Sequence, residues 1–67
     1  MSVEQIIALI QERIDIAARN EQKASQDWHA AEDGAEREIA YRLAQNSIAQ
    51  RIILQTVLDE IVEVVNG

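Results

Sequence analysis

The sequence predicts an all-α fold: one antiparallel helical hairpin of two long helices that assembles with copies of itself into a homo-oligomeric helix bundle. Three observations carry this expectation. The 67 residues include no proline and only two glycines, so little in the chain opposes helix formation. Apolar residues recur at spacings of three and four along nearly the whole length. That pattern breaks convincingly at one place only, Glu32-Asp33-Gly34.

The need for copies follows from size. A domain this short buries only about 60% of the surface its unfolded chain exposes, which leaves a thin margin of stability. Small folds offset this with disulfides, a structural metal or association. With no cysteine and a single histidine, association is the route left open, and an apolar content of 48% supplies surface for it.

The first helix is expected over about residues 3–32. Ser2 can accept from the amide of Gln5 while Gln5 reaches back, the S-x-x-Q form of a capping box. Its seam is Val3, Ile7, Ile10, Ile14, Ala17, Ala24, Trp28 and Ala31, with Glu21 the one polar member. A shorter apolar edge through Leu9 and Ile16 lies on another side of the same helix. A dip in helix propensity over residues 20–25 marks the competing topology, which has three helices.

The turn is expected at about residues 33–34. Gly34 can end a helix in the left-handed conformation, and Asp33 can cap a following helix whose third residue is Glu36. The second helix then runs over about 35–65 and stops at Asn66 and Gly67. Projected at about 100° per residue, its central stripe is Ala40, Leu43, Leu54, Leu58, Ile61 and Val65. Ala44, Ile48 and Val62 flank this stripe on one side, and Ile39, Ile53, Val57 and Val64 on the other. One partner helix cannot cover so wide an arc. Folding about Gly34 sets residue n opposite residue 67 − n, which makes the open end of the hairpin its most apolar part. Leu9, Ile16, Ile53, Val57 and Val64 are therefore the expected subunit interface.

Ser47, Gln50 and Arg51 interrupt the second helix's stripe and form a polar layer with Glu21. A register device is the plainer reading; an anion-binding Arg51 in a cleft between subunits is the sharper one. Glu12 and Asp15 are the alternative partners that would make Arg51 part of an ion pair. At the tip, Trp28, His29 and Tyr41 lie within one or two turns of Lys23, Arg37 and Arg42. Flat rings stack on bases and guanidinium groups grip phosphates, so the cluster has the chemistry of a small nucleotide or cyclic-nucleotide pocket. Trp, Tyr and Arg are equally the anchors of protein interfaces. The plain structural alternative packs Trp28 against Ile39, lays Tyr41 over the rim and pairs the arginines with Glu32, Glu36 and Glu38.

Composition narrows the function classes. A net charge of −6 repels nucleic acid and anionic membranes, so general nucleic-acid binding is not expected. The uncharged run 52–58 is far shorter than the roughly 20 residues a membrane span needs. No secretory signal is apparent, because the apolar start is interrupted by Glu4, Gln5 and Gln11, and a cytoplasmic location is expected. One histidine with no cysteine permits neither a Ser-His-Asp nor a Cys-His arrangement, and there is no glycine-rich phosphate loop, so an enzyme is not expected. His29, Glu32, Asp33 and Glu36 make a poor metal set. Glu12 with Asp15, and Asp59 with Glu60 and Glu63, have the spacing of paired-acid magnesium motifs but project away from the apolar stripes. No metal and no cofactor is expected.

The sequence thus points to a non-enzymatic, homo-oligomeric binding protein acting on another protein as a regulator or inhibitor, of the accessory kind common in phages and mobile elements. A binder of a phosphorylated or cyclic nucleotide is the second reading, and a structural assembly component the third.

Overall fold

The computed structural model describes residues 1–32 and 34–67; Asp33, with its expected capping and turn roles, lies outside the described residues. Two helices are present, α1 (Val3–Ala30) and α2 (Gly34–Asn66), and among the described residues there is no strand. They pack against each other as a hairpin in a rod of 50 × 15 × 14 Å. At about 1.5 Å per residue the 33 residues of α2 are about 50 Å long, so this helix alone spans the rod.

The N-terminus of α1 forms as its sequence predicts. The Gln5 amide donates to Ser2 Oγ at 3.1 Å and the Ser2 amide donates to Gln5 Oε1 at 2.9 Å, which satisfies two amides the helix itself leaves without partners. The helix continues unbroken through residues 20–25, so the three-helix topology is not the one adopted.

The far end differs from expectation. Helix α1 stops at Ala30, two residues early, and Ala31 turns to extended backbone (φ −71°, ψ 134°) while its amide still donates to the Asp27 carbonyl. Gly34 does not end α1 in the left-handed region; no described glycine has a positive φ, and Gly34 is the first residue of α2. An extended Ala31 carries the chain out of α1 without a left-handed residue at that position.

The core is a single inner seam. Along α1 it runs from Ile7 through Ile14, Ala17, Glu21 and Ala24 to Trp28; along α2 it runs from Ala40 through Ser47, Arg51, Leu54 and Leu58 to Ile61. Both follow a seven-residue repeat, the pattern that keeps two helices in contact over many turns. Three expected members are exposed instead. Leu43 sits roughly 60° to the side of the line through Ala40 and Ser47. Val3 and Val65 lie at the open end, where each helix is running out of neighbour. The buried apolar residues are Ile14, Ala17, Ala24, Ala40 and Leu58, with Ser47 the buried polar member among the described residues. Large aliphatics fill the open half and alanines the tip half.

This core is small for the chain. A compact monomer of this mass exposes about 4,250 Å², whereas the hairpin exposes 5153 Å². The excess of roughly 900 Å² is the cost of drawing the chain into a two-helix rod.

Candidate functional site

The tip brings together most of its expected residues. Trp28 is held on the inner seam near the end of α1, half-buried, and Arg37, in the first turn of α2, lays its guanidinium over the indole with Cζ 4.4 Å from the ring centroid. His29 meets the same indole edge-on, with centroids 4.9 Å apart and planes at 74°. Tyr41 is exposed and lines a cleft of about 210 Å³ with Ser25, Trp28 and Ala44. Small-molecule sites start at about 300 Å³, so this cleft holds part of a ligand at most. Arg42 pairs with Glu38 at 2.7 Å, but both are well exposed (74% and 62%), and such a pair on one helix face is worth about 0.3–0.5 kcal/mol. A competing carboxylate or phosphate can displace it.

Ile39 does not pack on Trp28 as expected: it is exposed, because its position on α2 faces the outer side of the hairpin, and Arg37 covers the ring instead.

Arg51 is not part of this cluster. Its Nε donates to Glu21 Oε2 at 3.0 Å across 30 residues of sequence, half-way down the rod. Glu21 is the residue that the expected polar layer offers, and the alternative partners Glu12 and Asp15 are both exposed on the far side of α1, where Asp15 accepts weakly from Gln11 Nε2 at 3.4 Å. The Glu21–Arg51 pair also corrects the fold-back rule, which would set Asn46 opposite Glu21. Side chains on a helix lean toward its own N-terminus. In an antiparallel pair those leans are opposed, so at mid-rod a side chain can meet one several residues farther along the partner than backbone heights alone predict, whereas at the tip Arg37 meets Trp28 two residues short of the rule. Arg51 is five residues beyond Asn46.

A second region is larger. The interface residues expected from sequence share one side of the hairpin: Ile16 and Ile53 line a groove of about 520 Å³ with Arg13, Gln50 and Leu54, and Val57 and Val64 line one of about 440 Å³ with Val3, Ile6 and Ile61. Leu9, Ile53, Val57 and Val64 are exposed and Ile16 is half-buried. Sequence reasoning missed Ile6, Arg13 and Leu43 here. The signal was present in their spacing. Ile6, Leu9, Arg13 and Ile16 repeat at three and four along α1, and Leu43, Asn46, Gln50, Ile53, Val57, Glu60 and Val64 do so along α2. Each helix thus carries two seams, and the hairpin covers one.

Among the described residues no group of three or more His, Cys, Asp or Glu side chains comes together that could hold a metal ion, Asp33 of the considered set lying outside them. Asp59 accepts from Gln55 Nε2 at 2.9 Å along its own helix. Among the described residues no helix is long and apolar enough to cross a membrane. Comparison of the chain with protein-family models, with curated proteins and with solved structures finds no match.

Proposed function

We propose that this chain is a non-enzymatic, self-associating binding protein of the cytoplasm, in which copies join through the outer seam and the assembly acts by binding another protein, as a small regulator or inhibitor. The observation that carries the reading is the outer seam itself. A repeat of apolar residues on both helices, aligned on one side and left in water, is the surface an association interface requires. One side of the rod, 50 Å long and 15 Å wide, amounts to about 750 Å² in projection, against the ~800 Å² per partner of a stable protein interface.

The tip is then the part left for a second protein. It holds Trp28, Tyr41, Arg37 and Arg42, the residue types over-represented among energetic anchors. Light scattering tests the first step: a species at least twice the 7.5 kDa chain mass is the expected outcome, and a monomer at high concentration overturns it. Affinity capture with the wild type and with a Trp28→Ala/Arg42→Ala variant tests the second. The variant keeps its oligomeric mass and loses the captured protein; equal capture by both removes the tip from the reading.

A small phosphorylated or cyclic nucleotide is the competing occupant of the tip, favoured by the Arg37 guanidinium beside the Trp28 indole and by Tyr41 in the adjoining cleft. Thermal melts against a nucleotide panel separate the two. A ligand at 100 times its Kd adds about 2.7 kcal/mol of stability, so a flat panel excludes it.

A further inference from the structure

The outer seam is not uniform along the rod. Its open half is mostly apolar, with Ile6, Leu9 and Ile16 on α1 and Ile53, Val57 and Val64 on α2 around two charged members, Arg13 and Glu60; its tip half carries Asn20, Lys23 and Asp27 on α1 and Asn46 and Gln50 beside Leu43 on α2. Two copies related by a two-fold axis and joined through this side have two choices, tips together or tips apart. The distribution of residues decides between them.

With tips together, α1 of one copy runs antiparallel to α2 of the other, the same relation as inside the hairpin. The Glu21–Arg51 contact supplies the offset for such a pair. Applied between copies, to within one residue, that offset sets Leu9 against Val64 of the partner subunit, Ile16 against Val57 of the partner subunit, and Arg13 against Glu60 of the partner subunit. Apolar meets apolar, and a cation meets an anion. Among the described residues, neither Arg13 nor Glu60 holds an ion pair within its own hairpin. With tips apart and the two rods overlapping over their full length, α1 lies beside α1, and Ile6 and Leu9 are set against Asp27 and Lys23. Helix α2 tolerates either choice, since Ile39 and Leu43 would then meet Val64 and Val57; α1 does not, because burying charges against aliphatic side chains is unfavourable.

We infer that two copies pair through the outer seam with their tips at the same end, and that Arg13 of each meets Glu60 of the partner subunit. This rests on the self-association proposed above and adds an orientation to it. One consequence is functional: the two Trp28–Arg37 clusters stand side by side, so a partner protein meets two copies of the tip at once and binds with the gain that linked sites provide.

The absence of cysteine makes the test direct. Ala35→Cys places one spin label per chain on an exposed position beside the tip, and light scattering of the labelled protein comes first. A dimer whose labels lie within about 35 Å, a few helix diameters of about 10 Å each, is the expected result. Labels separated by about the 50 Å length of the rod overturn the orientation alone, and a monomer overturns both the orientation and the association beneath it. Charge exchange provides an independent check. Arg13→Glu and Glu60→Arg each weaken the dimer by about tenfold or more, and the double exchange restores it; single variants without effect, or a double variant without rescue, overturn the Arg13–Glu60 pairing.

Discussion

Ile14 and Leu58, on the inner seam, are 7% and 6% exposed, whereas Ile53 and Val64, on the outer seam and spaced by the same three-and-four rule, are 62% and 80% exposed. The two seams are written in one alphabet, and hydrophobic periodicity alone does not say which of them a helix buries first. The difference is geometric. Two helices present one contact line to each other, so a hairpin satisfies one seam on each and leaves the other exposed. Under the proposed self-association, the outer seam is the inner seam of a larger object.

The largest expected effects break that comparison directly. Leu58→Ala removes one of the two large aliphatic side chains that are buried among the described residues, at 6% exposure, and costs about 2–4 kcal/mol. In urea or thermal melts it lowers stability at every protein concentration. Ile53→Asp falls on a side chain that is 62% exposed and borders the inner seam only along the groove it shares with Ala17 and Leu54, so it leaves helix content in place and abolishes the rise of melting temperature with concentration that a self-associating protein shows. If the two substitutions act alike, with the same loss and the same concentration dependence, the seams are not distinct. Measuring both variants across a hundredfold range of concentration is enough to decide.

A smaller effect sharpens the comparison at the place where the inner seam is itself polar. Glu21 and Arg51 lie in the seam but are only partly buried, at 29% and 41% side-chain exposure, so Glu21→Ala should cost about 1 kcal/mol. Replacing both by leucine has the opposite sign. A continuous apolar seam is as stable or more so, since the desolvation penalty of the pair disappears. What it loses is alignment: without the one layer that has a single satisfied register, the variant should run as more than one oligomeric species by light scattering. A single clean species from the double variant would show that the pair is not what fixes the register.

Much of this fold was legible in the sequence, and the parts that were not share a cause. The helical hairpin, the Ser2–Gln5 box and the polar layer at Glu21 all follow from local spacing, which needs no knowledge of the third dimension. The errors lie where distance across the hairpin matters. The polar layer already sets Arg51 near Glu21, but Glu12 and Asp15 stay open as alternative partners, because spacing says which face a residue occupies and not how far its side chain leans toward a neighbour. Leu43 was counted in the central stripe because a projection at about 100° per residue weights all apolar residues equally, while close packing selects one line of them. At the tip, Trp28, Arg37 and Tyr41 were legible as a cluster. That Arg37 would lie on Trp28, in place of Ile39, was not, because a guanidinium and an aliphatic side chain are both good cover for an indole.

The smallest effect concerns the tip's backbone, where the sequence and the structure disagree most sharply. A left-handed glycine ending α1 would make Gly34 irreplaceable, since a side chain there would be strained. The structure instead makes Gly34 the first residue of α2, with no positive φ and nothing within 4 Å of where a Cβ would stand. Under that geometry glycine is only a loss, because it leaves the unfolded chain more freedom than alanine does and gains no compensating contact. Gly34→Ala should then raise stability by about 0.5 kcal/mol, an increment that replicate urea melts resolve, and it should leave the oligomeric mass unchanged. A loss of 1 kcal/mol or more would instead restore the left-handed turn, and with it a tip whose helices meet differently from the ones that hold Arg37 over Trp28.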